Sequence, residues 1–131
     1  MKNKCINIFL KMREFSSLNS VKKATISIQN YIDTSRYLIE AAASRKFPKY
    51  KAIEYVGMVA EGGLAGRDTF VKIQIDFTEF LFVRIHEDSL GSKHVTALKT
   101  GLGADDALMY FGGDDDKQAW KEFNYIDENI I

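Results

Sequence analysis

Two histidines, His86 and His94, flank the segment EDSLGSK, with Asp76, Glu87 and Asp88 nearby and the one cysteine, Cys5, far away in sequence. Imidazole, thiolate and carboxylate groups can hold zinc or build a Cys-His nucleophile. Either chemistry would need the N-terminal residues to fold back onto the histidines. One thiol, two imidazoles and scattered carboxylates make a poor zinc set, so we expect solvent-facing histidines at strand ends, no metal and no cofactor. The segment GLGADD places two glycines before paired acids, but it lacks the strand-turn-helix setting of a phosphate loop, and turn chemistry accounts for it. With no converging acid, base and nucleophile, an enzyme is not expected.

What remains is a binding feature. The stretch YVGMVAEGGLAGRDTFVKI, residues 55 to 73, holds four glycines in its first twelve positions and lies between two β-like runs. Glycine lets a backbone approach another surface closely and adopt positive φ at low steric cost. Leu64 sits among those glycines, where an apolar side chain has little local reason to be. The loop reads as a contact hairpin, with a partnerless surface hairpin as the alternative.

The elements that would carry this loop follow from composition and periodicity. At 131 residues the chain has the length of one domain, able to bury a core without disulfides. Lys plus Arg and Asp plus Glu number 18 each, so the formal net charge is zero and no global field favours nucleic acid or an anionic membrane. A lone cysteine and an opening MKNKCINIFLKMREF without a secretory core suggest a reducing, cytoplasmic location.

Residues 1–22 lack a sustained period and read as a flexible N-terminal arm. From Thr25, a candidate N-cap, Ile28, Tyr31, Ile32, Ser35, Leu38, Ile39 and Ala42 recur at helical spacing, predicting an amphipathic helix that Pro48 bars from continuing. KYKAIEYVGMVA leans to strand, with Gly57 read as a bulge or bend. DTFVKIQIDF sets Val71, Ile73 and Ile75 against Phe70, Lys72 and Gln74, and FLFVRIHE sets Leu81, Val83 and Ile85 against Phe80, Phe82, Arg84 and His86. HVTALKTGL gives a fourth strand and DDALMYF a short fifth or a terminal turn. The fold class is α+β: one long N-terminal helix wrapped by an antiparallel sheet of four to five strands. Alternate turns of such a meander share an end, so EGGLAG and EDSLGSK should sit side by side.

From about Lys23 to Phe111 the chain resembles the stefins of the cystatin superfamily. KATISIQNYID resembles the stefin helix start PAT-x-EIQ-x-x-D, TFVKIQI the strand Y-x-x-KV, FVRIHEDSLG the strand and hairpin H-x-x-V-x-x-SLP, and LKTGLGADDALMYF the ending LTGYQ with DDEL and a final Phe. The resemblance implies a cystatin-like fold over residues 23–111, with 112–131 as a C-terminal extension. It also implies a reversible, competitive inhibitor of papain-like (cathepsin-type) cysteine proteases that plugs their cleft with three parts.

On that resemblance the N-terminal arm contributes Phe15, Ser16, Ser17 and Leu18. The first hairpin contributes Met58, Val59, Ala60, Glu61, Gly62, Gly63, Leu64, Ala65 and Gly66, and the second contributes Ser89, Leu90 and Gly91. Each part departs from the stefin pattern. The first hairpin is longer than a stefin's, and either MVAEG or GGLAG fits QVVAG. Gly91 replaces the proline of Leu-Pro, which should cost more entropy to order on binding, and Ser16 and Ser17 fall near the trunk glycine. The alternative is a non-inhibitory cystatin-fold interaction module that uses its sheet face, with Phe80 and Phe82, or the extension with Trp120 and Phe123. A monomer is expected, although a domain-swapped dimer is open to this fold; nucleic acid and membrane are not expected partners.

Overall fold

The computed structural model describes residues 12–60 and 65–113. Its helical stretch begins where the sequence indicates: Thr25 is extended, and its Oγ1 accepts from the Ile28 N–H at 3.2 Å, satisfying one of the free donors of the first turn. Two segments follow, α1 (Ile26–Thr34) and α2 (Arg36–Ala43), separated at Ser35. The break has a local cause. Thr34 Oγ1 and Ser35 Oγ both donate to the Tyr31 carbonyl, at 2.8 and 3.3 Å, while the Ser35 N–H turns to Ile32 O. Hydroxyls that bond back onto the preceding turn compete with the helical ladder and bend it. α2 ends before Pro48, at Ser44, which takes a left-handed conformation with φ 59°.

Among the described residues seven strands accompany the helices: β1 (Met12–Arg13), β2 (Lys22–Lys23), β3 (Lys51–Val59), β4 (Arg67–Gln74), β5 (Phe80–Glu87), β6 (Lys93–Leu102) and β7 (Tyr110–Phe111). β2 through β6 form one antiparallel sheet in sequence order, and β1 pairs with β7 in a separate two-stranded sheet. The irregularity expected at Gly57 lies instead between Ala52 and Glu54, where the Ile53 carbonyl accepts from Ala24; Gly57 pairs regularly with Thr69.

The alternation in β4 and β5 sorts the residues into two cores. On the helix side Val71, Ile73, Ile75, Leu81, Val83 and Ile85 are fully buried against Ile32 and Ile39, each worth about 1.5–3 kcal/mol of burial. On the outer side Phe70 and Phe82 are equally buried, against Val56, Ala97, Leu108, Tyr110 and Phe111. The aromatic surface that Phe80 and Phe82 might have offered is therefore covered. The cover among the described residues is the segment around 104–113 and the arm, with Phe15 edge-on to Phe70 at 5.0 Å and Phe111 at 6.2 Å from Phe82. Its fit is close: Gly112 has φ +71°, and a Cβ there would lie 2.3 Å from the Ala97 Cβ. Trp120 and Phe123 of the extension lie outside the described residues.

Candidate functional site: one edge with three apolar tips

The β3–β4 and β5–β6 turns meet at one end of the sheet. Val59 pairs with Arg67, Arg67 with Glu87, and the Ala60 N–H donates to Gly66 O, closing the first hairpin. Gly66, with φ +105°, is pressed so closely onto the neighbouring turn that a Cβ would sit 2.0 Å from the Glu87 carbonyl oxygen. The expected adjacency of the two turns is thus a backbone contact that only glycine permits. Of the first-hairpin residues, Met58 packs toward the outer core, Val59 is exposed, Ala60 is half-buried and Ala65 is exposed. Glu61, Gly62, Gly63 and Leu64 lie outside the described residues.

The second hairpin carries its own stiffening. Asp88 Oδ1 accepts from the N–H groups of Leu90 and Ser92 at 2.9 and 3.0 Å, and two backbone bonds join Asp88 to Gly91 and Ser92. The Ser92 N–H, then that of Leu90, holds the Asp88 carboxyl below the usual carboxylate pKa against a smaller opposing effect of burial. Gly91 has φ +87°, which proline, fixed near −65°, could not adopt. This turn therefore replaces proline rigidity with a carboxylate clamp, leaving Ser89 and Leu90 exposed.

The arm reaches the same edge from the other side. Lys22 and Lys23 pair with Tyr55 and Glu54, so the preceding residues run along β3 toward the hairpin end. There the Asn19 N–H donates to Ser16 O at 3.0 Å and its side-chain amide to Ser16 Oγ at 3.1 Å, closing a turn with Ser16, Ser17 and Leu18 exposed. Phe15 then descends into the outer core, and Met12 and Arg13 pair with Phe111 and Tyr110, the Arg13 guanidinium lying 4.0 Å over the Tyr110 ring. From Met12 onward the arm is laid on the domain. Leu18 is 91% exposed, Val59 68% and Leu90 90%. Among the described residues each of the three parts thus presents an exposed aliphatic side chain.

Beneath the hairpins lies a polar cluster that the sequence reading did not foresee. The Asp68 carboxylate, only 6% exposed, accepts from Arg84 Nη2 at 2.6 Å and Nε at 3.2 Å, and lies 2.9 Å from His86 Nδ1. Arg84 also donates to the Phe111 carbonyl and lies under the Phe70 and Tyr110 rings. Burial works against the Arg84 charge, but hydrogen bonds to Asp68 and Tyr110 outweigh it and push its pKa up. His86 is therefore not a solvent-facing histidine: its side chain is 14% exposed because it caps this pair. His94 is the exposed one, at 62%, 4.0 Å from Asp88. Arg84 and His86 alternate on β5 opposite Phe70 and Asp68 of β4, a charged set facing across two strands that could have signalled the cluster. Among the described residues no group of three or more His, Cys, Asp or Glu side chains is placed to hold a metal, and no helix is long and apolar enough to cross a membrane.

A helical stretch clasped by a five-stranded antiparallel sheet, with its β3–β4 and β5–β6 turns aligned at one end, defines a cystatin-like α+β fold. Comparison with the profiles of known protein families returns no match. Individual relatives are clear, however. Cystatin-B of Bos taurus is 30% identical over 97 residues, covering 71% of this chain and 94% of its own length. Stefin-C of Bos taurus is 29% identical over 97 residues, with 71% and 91% covered, and Cystatin-A of Mus musculus 27% over 96, with 72% and 95%. The chain belongs to the stefin-like cystatin family, whose members are inhibitors of cysteine proteases rather than enzymes.

Proposed function

We propose that this chain is a reversible, competitive inhibitor of papain-like cysteine proteases and that it blocks the cleft with the edge formed by Leu18, the 58–66 hairpin and Ser89–Gly91. The observation that carries this reading is the coincidence of three nearly bare aliphatic side chains on three separate chain segments, at 91%, 68% and 90% exposure. Isolated exposed aliphatic residues need no explanation, but their coincidence on each part of a wedge does. The arm contributes a closed turn rather than a free trunk. Tethering by Phe15 and the β1–β7 pairing lowers the entropy lost when Leu18 is ordered against a partner. The inhibitor acts as a monomer in the cytoplasm, in keeping with its lone cysteine.

The test is titration of purified full-length chain against papain and a cathepsin L-like protease. Competitive inhibition that weakens at least about tenfold, roughly 1.4 kcal/mol, in the Leu18→Ala, Leu90→Ala double variant supports the wedge. A folded monomer that inhibits neither protease overturns it. The competing reading, a non-inhibitory interaction module, loses support from the burial of Phe80 and Phe82. It would then rest on residues 112–131, and a truncation after Gly113 would abolish partner binding.

A further inference from the structure

Beside the Leu18 tip, where β2 ends and the arm leaves the sheet, a groove of about 230 Å³ opens between Asn19, Ser20, Lys22, Tyr55, Gly57 and Arg67. Its floor is shaped by a missing side chain. A Cβ on Gly57 would lie 3.2 Å from Arg67 Nη2, so the guanidinium lies across β3 at the one residue that leaves room for it. Lys22, opposite Tyr55 in the strand pairing, lines the groove with it.

Neither cation is paired with a carboxylate among the described residues. Arg67 faces Glu87 across the β4–β5 pair and Lys22 neighbours the Lys23–Glu54 pair, yet neither Arg67 nor Lys22 forms an ion pair among the described residues. Three other arginines are matched by carboxylates, Arg36 with Glu40, Arg45 with Glu79 and Arg84 with Asp68, while Arg13 lies over the Tyr110 ring. The groove is therefore lined by two cations unmatched among the described residues, with Asn19 and Ser20 beside them. Its volume is below the roughly 300–1,000 Å³ of small-molecule pockets, which fits one side chain better than a free metabolite. An arginine fork matches a planar carboxylate in both charge and geometry.

Building on the wedge reading, we propose that this groove receives an Asp or Glu side chain from the rim of the bound protease, so that the chain selects papain-like proteases carrying an acidic residue beside the cleft. Charges at an interface rim act mainly on association rate and salt dependence, and like charges brought together there are strongly repelled. The groove is thus a selectivity device added to an apolar wedge.

The experiment measures association rate and inhibition constant against one papain-like protease in two forms, with its rim carboxylates intact and with them changed to amides, from low to physiological ionic strength. Arg67→Glu should slow association with the acidic form about tenfold or more, and Lys22→Gln less, with a flatter salt dependence in both. The amide form should respond little to either substitution. Equal inhibition of both forms by all variants overturns the proposal while leaving the wedge intact. Competition by inorganic phosphate at constant ionic strength, lost in Arg67→Glu, would overturn it by assigning the groove to a free anion. No inhibition of either form by the unmodified chain means that the wedge reading has failed, and this inference with it. Melting curves that match the unmodified chain exclude misfolding, and Lys22→Gln, on an exposed two-residue strand, provides a second and milder probe.

Discussion

The two faces of the sheet are built from different materials. The helix side is aliphatic and held by shape: Val71, Ile73, Ile75, Leu81, Val83 and Ile85 against Ile32 and Ile39. The outer side is aromatic and contains charge: Phe70, Phe82, Tyr110 and Phe111 form its core, Phe70, Tyr110 and the Phe111 carbonyl contact Arg84 of the Asp68–Arg84–His86 cluster, and Lys72 donates to the Ala104 and Asp106 carbonyls at 2.6 and 2.7 Å. The inner face joins helix to sheet. The outer face joins both chain ends of the domain to the sheet and so fixes where the arm emerges. Apolar packing tolerates exchange among shapes of similar volume, whereas a buried hydrogen-bonded charge pair has few alternatives.

Breaking this contrast should show most clearly at the charge pair. Asp68→Ala removes the buried carboxylate that accepts from Arg84 Nη2 and Nε and should cost about 3–5 kcal/mol, measured by denaturant unfolding. Replacing both partners, with Asp68→Leu and Arg84→Met, should recover about 2 kcal/mol or more, because the buried guanidinium is removed together with its carboxylate. If the double variant is no better than Asp68→Ala alone, the outer face is not governed by charge matching. Next in size is Phe15→Ala. A half-buried ring should cost about 2 kcal/mol, less than a full Phe deletion, and should also raise the inhibition constant by releasing Leu18. Unchanged inhibition with reduced stability would separate the tether from function.

On the inner face Ile73→Val should cost only about 1 kcal/mol and leave inhibition untouched. The smallest effect belongs to the second hairpin. The Asp88 carboxyl is held below its ordinary pKa, so its clamp is fully present above the unfolded value of about 3.9 and is lost as pH falls through the lower folded one. Amide exchange or chemical shifts of Leu90 and Ser92 should report that local loosening below about pH 4, and Asp88→Ala, which removes the acceptor, should show it at neutral pH.

The same contrast explains what the sequence made readable. The inner face is a local pattern of period two in strands and 3.6 in the helix, and the Thr25 cap is set by residues three apart. The adjacency of the two hairpins followed from meander geometry alone. The outer core was hidden because Arg84 and Lys72 read as solvent-facing members of their strands until a segment from residue 104 onward folds across them. That segment has no period of its own. Lone strand histidines look alike in sequence, so His86 and His94 could be told apart only by the position of Asp68. The Ser35 break was equally silent, since a helix and a helix with one back-bonded hydroxyl share the same apolar spacing.

The pairing of Met12–Arg13 with Tyr110–Phe111 also dictates an order of events during folding. Contacts this distant along the chain pay the greatest loop-closure entropy and form late. The helix and the β3–β6 meander hold all their own pairing partners and can assemble before β7 is in place. The Met12–Phe15 side of the Leu18 turn cannot be anchored until the segment ending at Phe111 is in place. A nascent or C-terminally shortened chain would therefore carry both hairpins and lack their third companion, so the edge becomes complete only when nearly the whole domain has been synthesised.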